Sequence, residues 1–205
     1  GSQFLIDGDR SHISMTNLFN QLKIEGDLTN STKISGITLR NIRNSAVVIN
    51  EAAPILDRLV IMDNYNPSDN GGGIFINASS QDTVRIFKVI LYDNKTNRSL
   101  GDAIYATGSN VVIDGITSMN NSPNEYTSTS AQLYFNSSKV RILNSIIRSK
   151  NNRRSINTSG MTLNDDLNVF YSNIDSLTLS SFNHASNSYK DPRFVDEDDE
   201  DDEDE

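Results

Sequence analysis

The sequence predicts an all-β parallel β-helix, a solenoid of about six to seven coils with three short strands in each. Two recurrences carry that reading. Six apolar segments end on asparagine at Asn41, Asn64, Asn94, Asn121, Asn151 and Asn173, spaced by 23, 30, 27, 30 and 22 residues. A second set, Val47–Asn50, Ile74–Asn77, Ile104–Thr107, Leu133–Asn136, Ile156–Asn157 and Leu177–Ser180, recurs at 27, 30, 29, 21 and 23 residues. Strand-like units repeating every 20 to 30 residues mark a solenoid.

The elements follow in order along each repeat. A weaker third set precedes the first: Lys33-Ile34, Ile55-Leu56, Arg85-Ile86, Val111–Ile113, Val140–Ile142 and Met161–Leu163. Turns rich in Asn, Ser, Gly and Asp separate the three. Helical periodicity is nearly absent, and Asn17–Ile24 reads as well as strand as helix. Alternation along a strand aims every second residue inward. With the repeats aligned on asparagine, Ile37 and Leu39, Val60 and Met62, and Ile90 and Tyr92 should stack in the core. Ile49, Ile76, Ala106 and Phe135 should do so on another face. The six asparagines should form a ladder, because Asn tolerates the left-handed backbone of a tight corner and its amide both donates and accepts. A structural corner is the preferred reading of this column.

That alignment leaves Leu59, Ile61, Val89, Leu91, Ile116 and Ile146 facing outward as an apolar strip, to be covered by the chain's own long turns or by a partner. It also sets Arg40, Asp63, Asp93, Asn120, Lys150 and Ser172 in one outer column. Two carboxylates on adjacent coils, Asp63 and Asp93, repel unless a cation or base joins them. A metal-holding pair beside Arg40 is the one catalytic arrangement this pattern offers. His12 and His184 fall at opposite ends of the rod, too far apart for one site, and Asp165-Asp166 reads as an ordinary turn pair. Seven Asn-x-Ser/Thr sequons read as incidental in a chain this rich in those residues.

Composition limits the rest. The chain has 205 residues and no cysteine, which excludes disulfides and thiol chemistry. No apolar run is long enough to span a bilayer. Residues 196–205 are ten consecutive carboxylates, expected to be disordered, as a linker or tail with at most weak Ca²⁺ capture. Removing those ten charges from the formal −9 leaves +1 for residues 1–195, so nucleic-acid binding is not expected. Gly1-Ser2 reads as a cloning scar, and residues 3–195 as one β-helix domain closed by 183–195.

Three phrases resemble a known family. Asp69-Asn-Gly-Gly-Gly-Ile-Phe-Ile76, and Leu91-Tyr-Asp-Asn94 followed by Asp102-Ala-Ile-Tyr105, look like the repeats of right-handed parallel β-helices in bacterial surface proteins. These include polymorphic outer-membrane proteins and autotransporter passengers of the pectate-lyase-like superfamily. Asp191-Pro-Arg-Phe-Val195 is similar to a phrase that closes such helices. The resemblance implies an extracellular or cell-surface, bacterial module that binds a glycan, a host protein or a neighbouring domain. With no catalytic constellation in the sequence, the reading leans to a non-enzymatic one without a cofactor beyond weakly held Ca²⁺. Its alternatives are a polysaccharide lyase built on Asp63, Asp93 and Arg40, and a structural spacer.

Overall fold

The structure, a computed structural model, describes residues 13–15, 21–26, 28–78, 82–97, 100–121, 130–149, 154–162, 165–175, 186–188 and 190. It is a parallel β-solenoid with three long sheets, a two-stranded sheet formed by Tyr65–Asn66 and Lys95–Thr96, and no helix among these residues. The first face holds Ile13–Met15, Ile37–Arg40, Val60–Met62, Ile90–Tyr92, Thr117–Met119, Ile146–Arg148 and Asn173–Ile174. Just before each of these, from Lys33–Ser35 onward, comes a strand of the second face: Lys33–Ser35, Ile55–Asp57, Thr83–Phe87, Asn110–Asp114, Lys139–Leu143 and Leu167–Phe170. The third face holds Leu22–Glu25, Val47–Asn50, Ile74–Asn77, Leu100–Thr107, Ala131–Asn136 and Arg154–Ser159. From first strand to last the second and third faces span five turns and the first face six, slightly below the six to seven coils expected. At a strand spacing of about 4.8 Å this is a rod of roughly 25 Å.

One backbone device recurs at all three corners. A residue with positive φ turns the chain, and the residue after it points inward. After the first face the turning residues are Asn41, Asp63, Asp93 and Asn120, with φ between 49° and 57°. After the second face they include Arg58, Lys88, Asn144 and Tyr171, with φ between 47° and 52°. Left-handed backbone costs an L-residue about 1–2 kcal/mol, least for Asn and Asp. Corners between the second and first faces are tight, with two residues between Asp57 and Val60, Phe87 and Ile90, Asp114 and Thr117, and Leu143 and Ile146. Differences in coil length are absorbed mainly elsewhere, in the arc from the first to the third face: six residues at 41–46 but eleven at 63–73.

The core differs from the sequence expectation on one face. Leu39 pairs with Ile61, and Ile61 with Leu91, so these residues share the inward column. Leu59, Ile61, Val89, Leu91 and Ile116 are all buried, while Ile90 and Tyr92 are 46% and 41% exposed. The expected outer strip is therefore core, and the expected core residues Val60, Met62, Ile90 and Tyr92 lie outside. Ile146, the remaining member of that strip, is on the outer side and half-buried. The cause is a register slip of one residue, which exchanges the two sides of every strand it touches. Ile37 and Leu39, and on the third face Ile49, Ile76, Ala106 and Phe135, do point inward. Near the C-terminus, Val169 belongs to the second face, in Leu167–Phe170, and Asn173 opens the next strand of the first.

Glycines at this stacked pair of strands have a steric reason: a Cβ at Gly72 or Gly73 would sit 2.6 Å from the Lys95 or Ala103 carbonyl oxygen. Leu100–Thr107 lies beside Ile74–Asn77, with Ile104 opposite Ile74. Gly101 has φ +65°, and a Cβ there would sit 2.2 Å from the Ile104 carbonyl oxygen. The space admits no side chain.

Candidate recognition surfaces

The asparagine column forms over three coils. Asn64, Asn94 and Asn121 are at most 1% exposed. Asn64 Nδ2 donates to Asn94 Oδ1 at 2.8 Å, and Asn94 Nδ2 to Asn121 Oδ1 at 2.9 Å. Each amide also donates to a backbone carbonyl of the preceding coil: Leu39 for Asn64, Ile61 for Asn94 and Leu91 for Asn121. Asn121 ends the file against Ser118 and Gln132. Asn41 is not in it. The residue beneath Asn64 is Ile42, whose N–H donates to Asn64 Oδ1 at 3.0 Å. Asn41 instead occupies the exposed turning position, level with Asp63 and Asp93. Asn173 lies on a strand opposite Ile146, and Asn151 falls outside the described residues. Conformational tolerance and amide pairing thus fall on adjacent residues rather than on one.

The weak catalytic set is divided. Asp63 and Asp93 share a corner on adjacent coils, but Arg40 pairs with Met62, one position earlier in the strand. Asp93 holds Lys95 at 3.1 Å. Among the described residues no cluster of three or more His, Cys, Asp or Glu could hold a metal ion. His12, His184 and the acidic segment 196–205 lie outside the described residues.

Three outer faces remain, and each differs in chemistry. On the third, Phe75, Tyr105 and Tyr134 stack with centroids 5.5 and 5.8 Å apart and rings within 16° of parallel. Burial holds the Tyr105 phenol above its ordinary value, Tyr134 and Asp69 add to this, and hydrogen bonds to Thr107 and Asn136 oppose it. Within the stack the ring faces cover one another, so a sugar ring would find mainly their edges. This stack reinforces the sheet.

The second face carries a polar groove of about 240 Å³. Thr83, Asn110, Lys139, Arg141, Asp165, Asp166 and Asn168 line it over a floor that includes Val112. Register places Thr83, Asn110 and Lys139 on successive coils, and Val112, Arg141 and Asn168 beside them. Arg141 is held over the Phe170 ring at 5.8 Å from its centroid. At the other end of this face Asp57 joins Lys33 at 2.8 Å and Arg58 at 3.3 Å. Burial raises the Asp57 carboxyl, but the hydrogen bond and charge of Lys33, the Arg58 charge and the Ser35 hydroxyl outweigh it and leave it below the ordinary value. The groove was missed because its residues sit in different repeats. Polar residues at alternate positions of Thr83–Phe87 and Lys139–Leu143 were its only trace.

The first face shows two outer columns. One runs Thr38, Val60, Ile90, Thr117, Ile146, and the other Arg40, Met62, Tyr92, Met119, Arg148. The apolar middle is bounded above and below in the second column by arginine.

The fold defines the class, a three-faced parallel β-solenoid. No protein-family model, no curated protein and no solved structure matches the chain.

Proposed function

We propose that the chain is a non-enzymatic recognition rod, extracellular or on a cell surface, that holds a hydroxyl-rich saccharide in the groove of the second face. The groove is the observation that carries this reading. Its donors (Lys139, Arg141) and acceptors (Asp165, Asp166) alternate with groups that do both (Thr83, Asn110, Asn168), as sugar hydroxyls require. Lys139 and Arg141 would favour a saccharide bearing a carboxylate or sulfate. The stacking of Gly71–Ile74 beside Gly101–Ile104 supports placing the chain with the right-handed pectate-lyase-like β-helices of bacterial surface proteins. Glycan-array screening followed by calorimetry tests the proposal. Arg141→Ala and Asn168→Ala should each weaken the selected glycan about tenfold, or about 1.4 kcal/mol, with unfolding midpoints checked in parallel. Binding unaffected by both substitutions would exclude the groove. The lyase reading makes a separate demand: calcium-dependent formation of unsaturated product, abolished in Asp93→Asn. That result would replace the proposal with an enzyme acting at the Asp63–Asp93 corner.

A further inference from the structure

We infer that the first face is a self-association surface on which two copies of this chain pack side by side, with their axes parallel. The apolar centre is Val60, Met62, Ile90, Tyr92, Met119 and Ile146, and it contains Ile90 and Tyr92, two of the three exposed large hydrophobic residues among those described. An apolar patch with a charged rim is the signature of a contact surface. The rim names the partner. Along the side where strands begin stand Lys88 and Arg58, the latter also held by Asp57, and along the side where they end stand Asp63 and Asp93, the latter also holding Lys95. Lys88 and Asp63 are exposed and form no ion pair among the described residues.

Two identical faces can meet about a two-fold axis lying in the contact plane, and two such axes suit this strip. An axis along the strands would bring like onto like. Lys88 would face its own copy, Asp93 would do the same, and Arg40 would meet the arginine at 148 of the other copy. An axis along the rod exchanges the two sides instead. Lys88 then faces the second copy's Asp93, Arg58 its Asp63, and Ile90 its Tyr92, each twice over. Charge complementarity therefore selects both the occupant and its direction.

Four to five strands at about 4.8 Å, each about 17 Å wide between the charged sides, give on the order of 400 Å² per copy. This lies at the weak end of specific interfaces, so association is expected only at high concentration. Sedimentation equilibrium of the full chain should show the mass rising from 22.8 kDa toward twice that value as concentration approaches about 1 mM. Ile90→Asp and, independently, Tyr92→Ser should hold it at the monomer while leaving the melting temperature unchanged. Lys88→Asp should weaken association about tenfold, and Lys88→Asp with Asp93→Lys should restore it. A chain that stays monomeric at about 1 mM assigns the strip to another occupant and overturns the inference. So does association indifferent to Ile90→Asp. Equal association of the single and double charge variants would overturn the parallel arrangement, since only that arrangement opposes residues 88 and 93.

Discussion

Two corners of this rod share a backbone and differ in what they bury. At both, a left-handed residue is followed by one that points inward. After the first face the inward residues are Ile42 and then Asn64, Asn94 and Asn121. After the second face they are Leu59, Val89 and Ile116, followed by Ser145 and Ser172 in the last coils. Those serines accept from the coil before (Ile116 N–H to Ser145, Ser145 N–H to Ser172) and donate to the carbonyls of Leu143 and Phe170. The corner geometry is thus set by the turning residue. The inward residue is free to be apolar, hydroxyl or amide, because the backbone of the neighbouring coil can serve a polar one, as the N–H of Ile42 serves Asn64 and that of Ile116 serves Ser145. An amide between two aliphatic residues has no side-chain partner in its column, and an aliphatic residue between two amides takes one partner from each.

The largest expected effect comes from moving an amide to the wrong corner. Val89→Asn, between Leu59 and Ile116, should lose about 3–4 kcal/mol through lost apolar burial and an unpaired amide. Urea denaturation would show it, and a loss below about 1 kcal/mol would mean the corner relaxes or admits water. The reverse exchange should cost less. Asn94→Leu is expected to lose about 2–3 kcal/mol by leaving Asn64 Nδ2 and Asn121 Oδ1 without their buried amide partner, while Asn64, Asn94 and Asn121 all changed to Leu should lose less than three times as much. Strict additivity would deny the pairing of the amides.

Relieving the turn itself is predicted to stabilise. Lys88→Gly removes the Cβ penalty at φ 51° and should gain up to about 1 kcal/mol, net of the greater freedom of the unfolded glycine. A loss of stability there would show that the Lys88 side chain contributes more than its backbone costs. Smallest is the pH effect of Asp57. Its folded carboxyl lies below the unfolded value, so its contribution is present above the unfolded range and fades as pH falls through the folded value. With Lys33 44% exposed, water screens the pair and the contribution should be a few tenths of a kcal/mol. Asp57→Asn should therefore lower stability by a few tenths of a kcal/mol near neutrality, a deficit that closes as pH falls below about 4, so that the acid limb of the stability–pH curve is slightly flatter.

The three sheets were legible because their strands alternate and recur: Ile34, Leu56, Ile86, Ile113 and Ile142 were read on one face, and Ile49, Ile76 and Phe135 on another. The first face went wrong at one residue. Asp63-Asn64, Asp93-Asn94 and Asn120-Asn121 each hold two residues able to adopt left-handed backbone, and Asn41-Ile42 holds one. Aligning Asn41 with Asn64 matched a turning residue to a buried one. The signal that separates them was present at the other corners, where Arg58-Leu59 and Lys88-Val89 show an exposed turning residue before an inward one. Applied to Asn41-Ile42, the same reading would have put Ile61 and Leu91 inside. The groove was illegible for another reason. Asn110, Arg141 and Asn168 converge only once coils stack, and no local pattern encodes that meeting.

The unequal arcs have a consequence for how such a chain can diversify. Each strand takes its neighbours from the coils on either side, and the two-residue turns hold the second and first faces in step. Five additional residues at 63–73 relative to 41–46 therefore leave that pairing unshifted. Length gained there widens the silhouette without lengthening the shaft, so lineages can remodel a flank while inheriting the stack intact.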